Sequence, residues 1–289
     1  ISEKSDLPCI EISQMTATLT DCNFQINEIY NNDLASAPPA ALAGAGNAVI
    51  NVKSGSYISK INDARAIISY TSGATFTIGD GVTLTSPKDA VYLYDNSYDS
   101  YPKASTKLTI NGGYISGIVN AGTDNRNTLS INGGSFTDLV NATKYAAKGA
   151  TIKLAGNVEL DNSLTIDKSI IIDGNDNTIK GRNGKTIKGM VNLSSTKDSI
   201  DVTLKNINVD GGTSYAVKVG TKANLIIDGA TLTGWNAVYV SQAGQSNPEA
   251  HGDGSTVTIK NSELSGENTH GSGNDFGTVV VFANSTKVD

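Results

Sequence analysis

The chain has 289 residues, of which 38% are hydrophobic and 17% are charged, a balance typical of folded globular proteins and not of disordered chains. The formal net charge is −6, and Lys and Arg are scattered along the chain, so we expect no nucleic-acid partner. The only cysteines, Cys9 and Cys22, exclude a disulfide-rich scaffold and a four-cysteine metal site.

No stretch of the sequence predicts a membrane-spanning helix. The most apolar run, residues 35–50, is broken by Pro38, Pro39, Gly44 and Gly46 and is shorter than the roughly 20 residues that a bilayer requires. We therefore expect no membrane insertion in this segment. The chain begins at Ile1 without an initiator Met or a signal-peptide pattern, so we expect a processed or excised product.

Residues 1–47 predict incomplete structural units. Residues 9–12 (CIEI) predict one short strand, and residues 17–25 (ATLTDCNFQ) predict two more that are joined by a bend at Asp21. These elements match a repeat that is clearer later in the chain. We expect residues 1–47 to form an irregular N-terminal cap or partial coils, or the chain to be a segment of a longer protein.

From residue 48 onward, one sequence pattern recurs in register. Each copy has two apolar residues two positions apart, a polar residue, then Gly or Asn, and another apolar residue three positions later. Clear copies begin at Leu108, Leu129, Val202, Leu225 and Val257, and looser copies begin at Ile50, Phe76, Ile152 and Ile170. Alternation of period two makes each half of a copy a short strand with one face inward.

The residue between the two halves predicts a bend, because Gly, Asn and Asp tolerate left-handed backbone angles. This column contains Ser54, Asp80, Gly112, Gly133, Gly156, Gly174, Asn206, Gly229 and Asn261. After a variable loop, a third strand is predicted in segments that begin at Ala64, Asp89, Tyr215, Asn236 and Gly277. The pattern therefore predicts an all-β fold, a parallel β-helix solenoid with three short strands per coil and about nine to ten coils, over residues 48–289. A β-sandwich is the alternative, but it does not explain a recurring bend residue.

The chain resembles the right-handed parallel β-helix superfamily typified by pectate lyases, and more closely its bacterial surface and adhesin-like members. The resemblance covers about residues 48–284, and residues 146–181 are similar to the leading coils of such surface proteins. It implies a right-handed solenoid, an extracellular or cell-surface location, and a sugar-binding face formed by the third strand of each coil. It carries no implication about a particular activity.

Alternation places aromatic residues on the outer side of these third strands. The predicted inward residues are Val91, Leu93, Val217, Val219, Val238, Val240, Val279 and Val281. The predicted outward residues are Tyr70, Tyr92, Tyr94, Lys218, Tyr239, Val280 and Phe282. Tyrosine rings stack on sugars and add a hydroxyl, although tyrosine also simply suits an exposed strand.

The loop at residues 92–102 (YLYDNSYDSYP) strengthens the glycan hypothesis, because tyrosines and aspartates are concentrated there. The candidate ligand-binding residues are Tyr92, Tyr94, Asp95, Tyr98, Asp99, Tyr101 and Tyr239. In this hypothesis Tyr94 and Tyr98 stack on a sugar, and Asp95 and Asp99 accept hydrogen bonds from its hydroxyls. A self-packed surface loop is the alternative interpretation.

We expect no catalysis. Glycoside hydrolysis needs paired carboxylates, and elimination from uronates needs a base that is usually helped by Ca²⁺, but no Asp or Glu occupies the outward positions named above. Of the motifs of the superfamily's polygalacturonases, only His270-Gly271 has an echo here, which we interpret as chance.

We also expect no bound metal or cofactor. His251 and His270 lie in Gly-rich loops near acidic residues, a weak indication of a cation site. The segment at residues 174–181 (GNDNTIKG) resembles one Ca²⁺-binding nonapeptide repeat, but it lacks a second half-site and is better explained as a bend.

Three functional hypotheses remain. The first is a cell-surface binding or adhesive module whose ligand is a glycan or a host surface molecule. The second is a structural spacer within a larger surface protein. The third is a polysaccharide lyase or hydrolase, for which the scaffold is suitable and the carboxylates are missing.

Overall fold

A computed structural model describes residues 8–28, 39–70, 73–93, 105–123, 126–195, 198–220, 222–240, 254–267, 277–281 and 287–289. This part of the chain is nearly all β, and its strands form three parallel sheets, which confirms the predicted all-β class. The chain divides into two compact units, Ile1–Ala147 and Lys148–Asp289. Among the described residues, no helix has the length and apolar character that a membrane crossing requires.

The first unit contains long and short strands and a helix. They are β1 (Ile10–Ser13), β2 (Thr16–Leu19), β3 (Cys22–Ile26), β4 (Ala40–Ala45), β5 (Ala48–Ser59), β6 (Arg65–Ser69), β7 (Ala74–Leu93), β8 (Lys107–Ile110), β9 (Tyr114–Asn120), β10 (Thr128–Phe136) and α1 (Leu139–Tyr145). β5 and β7 are longer than predicted because they run through the bend. β7 and β10 each pair with both β8 and β9, so these four strands form a closed circuit of pairings.

Residues before 48 pair with the strands that follow them. β1 pairs with β4, and β2 and β3 both pair with β5. Through this register Ala17, Ile50, Phe76, Leu108 and Leu129 occupy one column in neighbouring strands. The repeat that the sequence shows from residue 50 therefore extends back to β2.

Helix α1 was not predicted from the sequence. Its N-cap is Asp138, whose carboxylate accepts hydrogen bonds from Asn141 N at 3.2 Å and from Val119 N at 3.3 Å. Leu139 and Ala142 are buried on its inner side, and Lys144 lies in the last turn, where a cation is favourable.

The second unit is more regular, and its first strand begins at Ala146, two residues before the division between the units. Its strands are β11 (Ala146–Leu154), β12 (Val158–Leu160), β13 (Leu164–Ile166), β14 (Ile170–Asp173), β15 (Thr178–Gly181), β16 (Val191–Leu193), β17 (Ile200–Lys205), β18 (Asn208–Asp210), β19 (Tyr215–Val219), β20 (Ala223–Asp228), β21 (Thr231–Gly234), β22 (Asn236–Val240), β23 (Thr256–Lys260), β24 (Glu263–Gly266), β25 (Val279–Val281) and β26 (Lys287–Val288). A 3₁₀ turn covers Arg182–Gly184.

Successive strands of the second unit belong to the three sheets in turn. The first sheet has the order β11-β14-β17-β20-β23-β26, the second β12-β15-β18-β21-β24, and the third β13-β16-β19-β22-β25. Buried Val, Ile and Leu side chains from all three sheets form the interior, as period-two alternation predicts.

The predicted bend column is right in part. Asn206, Gly229 and Asn261 have positive φ values of 48°, 62° and 48°, and Asp21 has 54°. Gly112 and Gly133 do not, and the next residues Gly113 and Gly134 take φ values of 94° and 128° instead. In the same way, the positive φ that was predicted at Ser54 occurs at Gly55, with a value of 115°. The positive φ that was predicted at Gly174 occurs at Asn175 and Asp176, with values of 49° and 61°. The φ values of Gly55, Gly113 and Gly134, which lie between 94° and 128°, are accessible almost only to Gly.

Two further members of the column, Asp80 and Gly156, also lack a positive φ. At Gly156 the predicted register is wrong, because Ile152 pairs with Ile172 and not with Ile170. The repeat copy that was predicted to begin at Ile152 is therefore shifted by two residues relative to the copy that begins at Ile170. Gly156 and Gly174 consequently do not occupy the same column.

Candidate functional site

Two of the seven candidate residues can be placed. Tyr92 lies in β7 of the first unit, and Tyr239 lies in β22 of the second. Tyr94, Asp95, Tyr98, Asp99 and Tyr101 fall outside the described residues. The two tyrosines belong to separate units, and each has its own surroundings.

Tyr92 is less exposed than the alternation of β7 predicts. Its neighbours Val91 and Leu93 are fully buried, as expected, and its own side chain is half-buried. The ring packs against Ala40, Ala43 and Ile68, which are themselves fully buried. This packing against small and branched side chains accounts for the partial burial of Tyr92.

Tyr70 packs against the same cluster. Burial, with a smaller contribution from the negative charge of Glu11, raises the pKa of Tyr70 to about 12. The phenol therefore keeps its proton in mildly alkaline solution, where an ordinary tyrosine begins to lose it.

A buried ion pair lies beside Tyr92. Arg65 Nε is 2.8 Å from Asp89 Oδ2, and the two side chains are only 8% and 4% exposed. Arg65 Nη1 also donates to Asn62 O at 3.1 Å, and Asn120 Nδ2 donates to Asp89 Oδ1 at 3.4 Å. The guanidinium carbon lies 5.4 Å from the Tyr92 ring centroid, within cation–π range. Because each charge already has a partner, we assign this cluster a structural role.

In the second unit, Tyr239 forms part of an aromatic pair. Its ring stacks on Tyr215 with centroids 4.2 Å apart and planes inclined by 13°. Val238 and Val240 are fully buried, and Tyr239 is half-buried on the opposite side of the strand.

Two residues adjoin this aromatic pair, one through the sheet register and one through the backbone. Lys218 of β19 lies directly beside Tyr239 in the sheet register, and its side chain is half-exposed. Trp235 immediately precedes β22 and is 38% exposed. Its backbone N donates to Ser214 O at 2.8 Å, which places the backbone of Trp235 next to the start of β19, where Tyr215 lies. We call Tyr215, Lys218, Trp235 and Tyr239 the aromatic patch.

Sequence reasoning named only Tyr239 of the aromatic patch as a ligand residue. Tyr215 and Trp235 were missed because they stand at or before the first residue of a strand, where alternation does not yet fix the side. A signal was present in the sequence, since Trp235 and Tyr215 occur at nearly the same point of two consecutive repeats.

The prediction for β25 is wrong. Val280 was expected outward and is buried at 6% exposed, whereas Val281 was expected inward and is 39% exposed. The pairing itself is regular, with Val280 beside Tyr239 and Val281 beside Val240. β25 is the last described strand of its sheet, so its side chains are covered from one side only. Phe282 lies outside the described residues.

One cleft of about 400 Å³ lies in the second unit, where the third sheet turns into the first. It is lined by Lys148, Asp167, Lys168, Ser169, Ser194, Ser195, Asp198, Ser199 and Ile200. The two Lys and two Asp balance in charge. Ser169 Oγ accepts a hydrogen bond from Asp201 N at 3.0 Å, and Ser195 Oγ donates to Asp198 O at 2.7 Å. These hydroxyls stabilise the turns.

The segment that resembles a Ca²⁺-binding repeat is organised as a bend. Asp173 Oδ1 accepts hydrogen bonds from Asn175 N at 3.2 Å and from Asn206 Nδ2 at 3.3 Å, and Lys205 Nζ lies 3.3 Å from Oδ2. Burial would raise the pKa of Asp173, but these hydrogen bonds and the lysine charge outweigh it and lower the pKa below 3.8. Across the described residues, no group of three or more His, Cys, Asp or Glu is arranged to hold a metal ion, and both histidines lie outside them.

The two cysteines are free thiols. Cys9 Sγ donates to Gln25 O and Cys22 Sγ to Thr20 O, each at 3.5 Å. Burial raises the pKa of Cys9, which disfavours the reactive thiolate.

No protein family model, no curated protein and no solved structure matches this chain.

Proposed function

We propose that the chain is a right-handed parallel β-helix of the extracellular or cell-surface environment, and that it binds a glycan or a host surface molecule. The strand order of the second unit supports the β-helix, because consecutive strands enter three parallel sheets in strict rotation. Right-handed crossover is the general rule for parallel strands that are joined within a sheet.

The aromatic patch is the observation that carries the binding proposal. Two stacked Tyr and a Lys on adjacent strands, together with a 38% exposed Trp that immediately precedes one of these strands, combine aromatic rings with hydrogen-bond donors. Sugar rings present flat apolar faces and hydroxyl groups that match both features. Tyr92 contributes less in this proposal, because it packs on its own sheet.

A binding role is favoured over a catalytic one by the composition of the outer column that contains Tyr239. That column consists of Thr165, Asn192, Lys218 and Tyr239 in neighbouring strands, and it ends at the buried Val280. It offers a cation and hydrogen-bonding groups but no carboxylate pair, which glycosidic cleavage requires.

The test is a screen of polysaccharides and a glycan array for retention of the protein, with parallel assays for reducing-end and unsaturated products. We expect retention of at least one glycan and no product. The double variant Tyr215→Ala/Tyr239→Ala should weaken binding at least about tenfold, which corresponds to 1.4 kcal/mol. Tyr114→Ala is the matched control, because Tyr114 is a 42% exposed tyrosine in the first unit.

Absence of any retained glycan would favour the spacer hypothesis instead. Binding that the double variant leaves unchanged would remove the aromatic patch as the site. Formation of product would show an enzyme and would overturn the non-catalytic proposal.

A further inference from the structure

The chain contains three Asn-Gly pairs, and they occupy very different surroundings. Asn111-Gly112 lies in the bend between β8 and β9 of the first unit and Asn132-Gly133 lies within β10, whereas Asn183-Gly184 lies in the 3₁₀ turn Arg182–Gly184 of the second unit. We propose that Asn183 is a site of spontaneous deamidation, which converts its side-chain amide into aspartate or isoaspartate.

The reaction needs only the chain and water. The backbone nitrogen of Gly184 attacks Cγ of Asn183 and forms a new N–Cγ bond, while the Cγ–Nδ2 bond breaks and ammonia leaves with the proton of the attacking amide. Water then opens the five-membered imide at either carbonyl, which yields aspartate or isoaspartate. Asparagine is among the thermolabile residues, and a following Gly offers the least hindered attacking nitrogen because it has no Cβ.

The turn leaves both reacting groups accessible. Asn183 and Gly184 are exposed, and a Cβ atom built on Gly184 would have no neighbour within 4 Å. Among the described residues, the side chain of Asn183 has no hydrogen-bond partner. One backbone hydrogen bond spans the pair, from Lys185 N to Arg182 O at 2.9 Å. Asn183 has φ 51° and ψ 35°, so rotation about ψ must bring the Gly184 nitrogen to Cγ, and little packing opposes that rotation.

The other two pairs are held in place. Asn132 Nδ2 donates to Asn111 Oδ1 at 2.8 Å, so each amide fixes the other. Asn111 N donates to Ile78 O at 2.8 Å, and Gly112 is packed so closely on Asp80 that a Cβ there would lie 1.6 Å from Oδ1. Imide formation at Asn111 or Asn132 therefore requires these hydrogen bonds and this packing to open locally, which slows the reaction in proportion to the opened population.

Deamidation would change the local charge. Arg182, the residue before Asn183, has its Nε 3.2 and 3.1 Å from the two carboxylate oxygens of Asp161. A new carboxylate at position 183 would offer this guanidinium a second anionic partner in the same exposed turn.

The folded, full-length chain is incubated in mildly alkaline buffer below its unfolding temperature, and samples are digested and mapped by mass spectrometry with isoaspartyl methyltransferase labelling. We expect conversion at Asn183 at least about tenfold faster than at Asn111 or Asn132, because only the latter two must wait for local opening. The variant Asn183→Gln should lose the corresponding acidic species in ion-exchange chromatography.

A sample in concentrated urea provides the reference in which all three pairs are free. If Asn183 converts in urea but is protected at least about tenfold in the folded chain, the turn is closed and the proposal is wrong. Conversion at Asn111 or Asn132 as fast as at Asn183 overturns it equally.

Discussion

The buried pair of Arg65 and Asp89 gives the sharpest test of the packing in the first unit. Replacing Asp89 with Asn preserves the shape of the side chain but leaves the guanidinium without its anionic partner, at a site where both side chains are at most 8% exposed. Removing one member of a buried ion pair typically destabilises a protein by about 3–5 kcal/mol, because an uncompensated charge remains in a poorly solvated place. That is a large part of the roughly 5–15 kcal/mol by which a domain is stable.

The matched control is an exposed ion pair in the second unit. Lys180 Nζ lies 3.4 Å from Glu159 Oε1, with side chains 49% and 40% exposed. Such pairs contribute at most about 1 kcal/mol, so Glu159→Gln should change stability little. The double variant Arg65→Met/Asp89→Leu should recover most of the stability that Asp89→Asn loses, because no charge is then left buried.

Urea unfolding followed by circular dichroism measures these differences through the transition midpoints. Because the chain has two compact units, the transition that Asp89→Asn shifts should be the one assigned to the first unit, for example by a fluorescent probe placed there. If Asp89→Asn shifts its midpoint no more than Glu159→Gln does, the pair is solvated and the described packing is incorrect.

Two further predictions concern a bend and a titrating carboxylate. Gly113→Ala should destabilise the folded protein by about 1–3 kcal/mol, because φ is 94° and the new Cβ would lie 2.6 Å from Val82 O. The control Gly156→Ala should be neutral or stabilising, because a Cβ at Gly156 has no neighbour within 4 Å and φ is not positive there. Thermal unfolding of both variants measures the difference. The interactions that lower the pKa of Asp173 stabilise the folded state, because they favour the ionised carboxylate. This stabilisation is complete at pH values above the unfolded-state pKa, which is near 3.8, and it is lost as the pH falls through the lower folded-state pKa. Asp173→Asn should flatten that acid limb of the stability–pH curve, and an unchanged curve would contradict the assigned hydrogen bonds.

Alternation in the sequence was enough to place most of the interior. The inward positions Val217, Val219, Val238 and Val240 are all fully buried. The bends were predicted less well in the first unit, because Gly112-Gly113 and Gly133-Gly134 each offer two residues that accept unusual angles. The sequence pattern alone does not show which of two adjacent glycines adopts the positive φ. Packing against the neighbouring strand determines which one does.

The contacts that define the sites were less accessible to sequence reasoning. Arg65 and Asp89 are 24 positions apart by number and look like ordinary surface charges until neighbouring strands bring them together inside the unit. Tyr215 and Tyr239 are likewise brought together by the pairing of β19 with β22. Such pairs require the register between repeats, which was correct from Ile170 onward and two residues in error at Ile152.

The outer side of the first sheet in the second unit explains how that register is kept. One column across its strands reads Lys153, Asp173, Lys205, Asp228 and Lys260, so the charge changes sign at every step. Side chains that lie directly opposite each other on neighbouring strands interact, and like charges there are destabilising. Exchanging two consecutive repeats would place like charges side by side, and a slip by one residue would turn this column toward the interior. Without these charges, similar repeats could pair with one another in several orders. The alternating column of Lys and Asp favours the observed order of strands.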